Sequence, residues 1–213
     1  MTGIRKASLT LATIAVTSLV ASCSADNGAA QPTADSTQAT ASSTGEPSTR
    51  PTLTALKLQP PPQDNKYTAS TGRPKVVFDP CTWISDETIQ KAGFDSASRK
   101  RADDLVAEYS FLTCDFSSPT RDLSLNSGNA TWEENARKVG SYSEQTTVNG
   151  REALLVRDPA TALRRSCQID VRTKVGFVQV AVDLTERAPR GTDPCDGLLD
   201  IATTIEPEIG KGN

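Results

Sequence analysis

Apolar and polar residues alternate in several short runs after residue 108. Leu112, Cys114 and Phe116 share one phase of the run 109–116, and Leu123 and Leu125 repeat it after a turn at Pro119 and Thr120. A period of two marks a half-buried strand. Val148-Asn149-Gly150-Arg151 is a hairpin signal, because Asn-Gly accepts the two positive φ angles of a type I′ turn. Its arms run over 142–148 and 151–157. Cys167, Ile169 and Val171 alternate again, and so do Val178, Val180, Val182 and Leu184 beyond a turn near 174–176.

Other stretches have helical patterning. Asp79-Pro80-Cys81 reads as a capped start, since proline at the first helical position loses no useful donor. Helix resumes after Ser85, and Gly93 stops it. Thr131-Trp132-Glu133-Glu134 fits a capping box opening a helix to Val139, with Gly140 closing it. Asp193-Pro194-Cys195 opens a last helix whose apolar face is Leu198, Leu199, Ile201, Ala202 and Ile205, ended or kinked by Pro207. The polar stretch 97–107 reads as loop. The order is helix, two strands, helix, four strands, helix. This predicts an α+β domain over 74–213, with a mostly antiparallel sheet of about five to six strands and flanking helices.

The front of the chain follows different rules. After Arg5 and Lys6, an apolar run of twelve residues extends from Leu9 to Val20. Such a helix rises about 18 Å, short of the roughly 30 Å hydrocarbon core, so it reads as a secretory signal over residues 1–22. Leu19-Val20-Ala21-Ser22-Cys23 resembles a bacterial lipobox. That resemblance implies cleavage before Cys23, a diacylglycerol on its thiol, and a place on the extracytoplasmic face of the cell membrane. Two acyl chains anchor stably where one does not. The plain alternative is an ordinary signal peptide with an incidental cysteine. Residues 23–73 are rich in Ala, Ser, Thr, Gln and Pro, without periodicity, and read as a disordered tether with a reach of roughly 40 Å. Sugars on its hydroxyls or a plain spacer role are both open. Leu53 to Leu58 has apolar residues enough to dock on the domain, but it is read as part of the tether.

Charge and composition narrow the function. The net charge is −3 and the pI about 5.1, without the basic face of a nucleic-acid binder. There is no histidine, which removes Ser-His-Asp and Cys-His catalysis and histidine metal sites. Setting Cys23 aside from the five cysteines leaves four, an even number suited to an oxidising compartment. Cys81 and Cys195 hold the third position of matching Asp-Pro-Cys starts, while Cys114 and Cys167 lie in strands on the apolar phase. The expected bridges are Cys81–Cys195 and Cys114–Cys167. A redox pair would want a C-x-x-C spacing, and zinc would want closer ligands; no metal or cofactor is expected.

The Asp79-Pro80-Cys81 start, Thr113-Cys114-Asp115, Val148-Asn149-Gly150-Arg151-Glu152-Ala153, the Cys167-Gln168-Ile169-Asp170-Val171 strand and Asp193-Pro194-Cys195 recur in an order that resembles the actinobacterial lipoprotein family known as domain of unknown function 3558. The likeness covers about residues 75–210, and the lipobox and tether are similar too. It implies the envelope of a high-GC Gram-positive bacterium and carries no activity or binding residues. By analogy with related lipoproteins the fold would be PsbP-like.

The remaining candidates are weak. Asp103-Asp104 and Glu133-Glu134 are adjacent acids that read as solvated. Arg99-Lys100-Arg101 and Arg164-Arg165 would suit anions but read as surface. Asn129-Ala130-Thr131 is a glycosylation sequon, with Thr131 better read as a cap. Trp83 and Trp132 suit a core or an apolar groove. The expectation is a non-catalytic binding or scaffold module for an apolar envelope ligand or a protein partner, at the membrane and without nucleic acid. The alternatives are a hydrolase or transferase using carboxylates alone, and a purely structural envelope protein.

Overall fold

The computed structural model describes residues 53–159, 165–210 and 213. The signal segment, Cys23 and the first part of the tether lie outside them, as does Arg164. No helix among the described residues is long and apolar enough to cross a membrane.

The alternating runs become strands: β1 (Asp95–Arg101), β2 (Leu105–Val106), β3 (Ser110–Ser117), β4 (Arg121–Gly128), β5 (Ser143–Val148), β6 (Arg151–Val156), β7 (Ser166–Arg172) and β8 (Phe177–Leu184). They form one antiparallel sheet in the order β1-β3-β4-β8-β7-β6-β5, with β2 also on β3. The helices are α1 (Lys66–Thr71), α2 (Pro80–Trp83), α3 (Asp86–Lys91), α4 (Trp132–Val139) and α5 (Leu198–Ile209). The α+β class and the antiparallel sheet hold. The strand count is higher than the expected five to six, because 95–101 and 105–106 are strands where loop was expected.

That stretch misled for a physical reason. Its inward positions are arginines. Arg99 is buried with its guanidinium 4.9 Å from the Phe116 ring centroid. Arg101 reaches Asp79 at 2.6 Å and Asp104 at 3.1 Å, all three side chains at most one-tenth exposed. Inward-pointing charges on an edge strand hide the period-two pattern and protect the edge from further pairing.

The core lies between one sheet face and α2, α3 and α5. Cys114, Phe116, Leu123, Leu125, Ile169, Val171, Val178, Val180 and Val182 supply the sheet side. Leu198, Ile201, Ala202, Ile205 and Ile209 supply that of α5, while Leu199 points to solvent. The last helix starts at Leu198, not at Pro194: Asp193 Oδ1 accepts from the Cys195 amide in a turn before it. Pro207 sits within α5 without ending it. Proline leaves the carbonyl four residues back without its helical donor. Asn149 Nδ2 donates to that carbonyl, Thr203 O, at 2.9 Å. The expected hairpin thus forms, with Asn149 at φ 50° and Gly150 at 82°, and its turn clamps the helix.

Two disulfides form, with pairing other than expected. They are Cys81–Cys114 and Cys167–Cys195, with Cα separations of 5.0 and 5.2 Å. The expected Cys114–Cys167 bridge fails on strand order. β3 and β7 are separated by β4 and β8, about 14 Å at ordinary strand spacing, and a bridge needs Cα atoms within roughly 7 Å. Cys81 in α2 and Cys195 in the turn before α5 each bridge to a strand of the sheet instead.

The domain also begins earlier than residue 74. The Leu53 amide donates to Thr82 O at 2.8 Å, and Leu58 is buried. Arg101 Nε donates to Leu58 O at 2.9 Å. The Gln63 side chain brackets Val76, and Asn65 caps α1 while reaching Val106 O at 3.2 Å. Residues 53–73, expected within the tether, are a strap on the domain.

Candidate functional site

The same alternation that fills the core puts its other phase on the second face of the sheet. Cross-strand partners there form rows. Phe111, Gly128 and Phe177 make one row. Thr113, Asn126, Gln179 and Asp170 make the next. Asp115, Ser124, Ala181 and Gln168 make a third. Side chains directly opposite in adjacent strands stand about 4.5–5.5 Å apart.

α4 covers one end of this face. Thr131 accepts from the Glu134 amide, and Glu134 accepts from that of Thr131, so the capping box read from sequence is in place. Trp132, Val139, Leu154, Val156 and Phe177 form a second, smaller core beneath the helix. Trp132 Nε1 donates to Glu152 at 3.0 Å. The core reading of Trp132 stands; Trp83 packs edge-on to Phe78 at 5.9 Å.

Beside α4 lies a cavity of about 320 Å³. Asn126, Gln168 and Gln179 form its floor; Asn135, Lys138 and Val139 form the helix wall; Phe111, Phe177, Tyr142, Val156 and Asp158 complete it. A second cavity of about 320 Å³ shares Phe111, Asn135, Lys138 and Phe177 with it. The aromatic end depends on Gly128. A Cβ there would come within 2.2 Å of the Phe111 ring, so glycine lets that ring lie over β4 and approach Phe177, centroids 6.2 Å apart.

Asp170 stands at the end of the amide row. It is fully buried, and burial pushes its carboxyl up to about 6 against the pull of Asn135, Gln168 and Lys138. Asn135 Nδ2 donates to it at 2.8 Å and Gln168 Nε2 at 3.1 Å. The carboxyl therefore orients two amides that line the cavity. Asn126 Oδ1 is buried and accepts no hydrogen bond from the described residues. Almost all buried polar atoms are bonded, so this orphan marks a place where a polar group is wanted.

A larger cavity of about 440 Å³ lies at the other end of the face, against Lys100, Asp115, Asp122 and Asp183. Asp122 and Asp183 are exposed and directly opposite one another. They are solvated acids, so we assign the candidate site to the amide-lined cavity, which alone of the two joins aromatic walls to buried polar atoms. Among the described residues no three acidic or cysteine side chains gather as metal ligands.

The other sequence candidates are structural. Glu134 forms a two-pronged pair with Arg73, at 2.7 and 2.9 Å, and accepts from the Thr131 amide. Arg73, the Thr131 amide and Tyr109 hold its carboxyl down at about 2. Glu133 meets Arg172, and Asp104 meets Arg101. Arg99 and Arg101 point inward, so the 99–101 run is no anion patch. Arg165 binds Glu186 and Thr185 O. Asn129 is buried, bonded to the Ser110 amide and Pro74 O, which argues against its use as a sequon. The floor residues Asn126, Gln168 and Gln179 were absent from the sequence candidates. Their only signal is polarity on the second phase of otherwise apolar strands, which reads as solvent exposure until α4 is placed.

The chain belongs to the family described as Protein of unknown function (DUF3558), whose model matches residues 18–208. That span includes Cys23 and the four bridged cysteines. No curated protein and no solved structure matches the chain.

Proposed function

We propose that this protein is a lipid-anchored binding module on the outer face of the cytoplasmic membrane, with the amide-lined cavity as its ligand site. The observation that carries the reading is the second sheet face, where Asn126 and Gln179 sit on interior strands yet pack against no core helix, and Asn126 Oδ1 is left unpartnered. The lipobox at Leu19–Cys23 supports the anchor. The lining favours a polar ligand over the apolar one expected from sequence, because an apolar ligand would strand these amides without partners. Labelled palmitate incorporation and membrane partitioning test the anchor: both are expected in the wild type and lost in Cys23→Ser. Native mass spectrometry of the purified protein tests the ligand site, with a co-purified mass expected and displaced in Gln179→Ala. Unchanged labelling in Cys23→Ser overturns the anchor. Turnover by the protein overturns the non-catalytic role.

A carboxylate hydrolase is the second reading, and only Asp170 favours it, as a carboxyl titrating near 6 beside a cavity. It requires turnover that Asp170→Asn abolishes. Against it, Asp170 is fully buried behind Asn135 and Gln168, while Asp158 is the carboxylate residue that lines the cavity.

A further inference from the structure

We propose that the cavity is a saccharide site. It takes one or two neutral sugar rings, with hydroxyls on Asn126, Gln179 and Asn135 and a ring face toward the aromatic end. This rests on the binding reading above and names its ligand class.

Four features of the lining select the class. Every amide offers both a donor and an acceptor, as does a hydroxyl, so a row of amides suits a ligand with several adjacent hydroxyls. Asn126 and Gln179 are direct cross-strand partners, which places two such amides side by side on a rigid floor. Asn126 lines the cavity while its Oδ1 is shut away without a donor, so turning that amide toward the cavity exchanges an unpartnered oxygen for one that a hydroxyl can bond. Phe111, Phe177 and Tyr142 stand beside the row, providing apolar surface for the C–H face of a ring. Size agrees: about 320 Å³ is at the low end for ligand cavities, roughly 300–1,000 Å³.

The competing classes fit less well. Lys138 and Asp158 are the charged residues of this lining, so they balance. A phosphate group would want a guanidinium fork or several cations. An extended peptide gains most from pairing with a strand edge. The floor strands β4, β8 and β7 are each paired on both sides, so their backbones offer no free edge.

The test uses the mature lipidated protein in mild detergent, titrated with glucose, galactose, N-acetylglucosamine and maltose, and in parallel with inorganic phosphate and tri-alanine. Saturation-transfer NMR and calorimetry read binding. We expect at least one saccharide to bind saturably, and Gln179→Ala and Asn126→Ala each to raise its Kd about tenfold or more with the melting temperature preserved. Gly128→Ala, which displaces the Phe111 ring, should weaken binding through the aromatic wall. Binding of phosphate or tri-alanine instead, with the same loss in Gln179→Ala, overturns the saccharide assignment and leaves the binding module standing. Silence from every probe overturns both, and so does saccharide binding that neither floor substitution changes.

Discussion

Leu125 and Asn126 are neighbours in one strand, as are Val180 and Gln179, yet each pair divides between two environments. On one face the residues close against α2, α3 and α5, and both disulfides staple that face to its helices. On the other, one short helix covers part of the sheet, and amides fill the space beside it. The difference separates a filled core from a cavity lining at a spacing of one residue. The odd phase of β4 supplies the core and the even phase lines the cavity, so the two can be altered independently.

The largest expected effect tests that separation directly. Leu125→Ala should cost about 2–5 kcal/mol in a denaturant titration, as a large-to-small change in a filled core. Asn126→Ala should fall within about 0.5 kcal/mol of wild type or slightly above it, because it removes an unpartnered buried acceptor. Equal losses at both positions would break the comparison.

Next come the bridges. Cys81→Ala with Cys114→Ala, or Cys167→Ala with Cys195→Ala, should each cost about 3–4 kcal/mol, from loops of 33 and 28 residues. Peptide mapping without reduction should recover 81 linked to 114, and 167 linked to 195.

The third effect belongs to the polar face. The Asp170 carboxyl is raised to about 6 from an ordinary 3.8, so the folded state holds its proton more tightly than the unfolded chain. The stability this confers is complete below about pH 3.8 and is lost as pH rises through 6. At about 1.4 kcal/mol per unit the change is about 3 kcal/mol, and Asp170→Asn should flatten it. A melting-temperature profile that falls between pH 4 and 7 in the wild type and stays level in the variant is the expected result.

The smallest effect has the opposite sign and comes from α4, from the neighbour of the Asn135 that bonds Asp170. Glu134 is held at about 2 by Arg73, so its contribution is present above its ordinary 4.5 and is lost as pH falls toward 2. Both partners are part-exposed, at 20% and 30%, which limits the contribution to under about 1 kcal/mol after screening. Arg73→Ala should remove that acid sensitivity while leaving the Asp170 profile intact.

Much of the core face was legible in the sequence, because Leu123 and Leu125, Ile169 and Val171, and Val178 to Val182 advertise period two. The caps at Asp79, Ser85 and Thr131 and the Asn149-Gly150 turn were legible because short polar side chains and positive φ have local causes. Four things were not. β1 was hidden because arginines occupy its inward positions. The disulfide pairing was hidden because alternation tells which face a cysteine takes but not which strand lies beside it. The cavity was hidden because Asn126, Gln168 and Gln179 look like any solvated phase until a helix from elsewhere in the chain settles beside them. The strap was hidden by composition: one buried leucine, Leu58, and a few side-chain bonds to backbone hold a segment that otherwise reads as spacer.

The bridges as formed leave β4 and β8 to be joined without covalent help. One bridge ties 81 to 114, before the crossover through α4; the other ties 167 to 195, after it. For a polypeptide threaded through a membrane from its N-terminus, the earlier pair can oxidise while the later pair is still inside. Neither thiol of the first pair has to wait for a partner from the second. In such an export, order of emergence would favour the native pairing over the two mispaired alternatives.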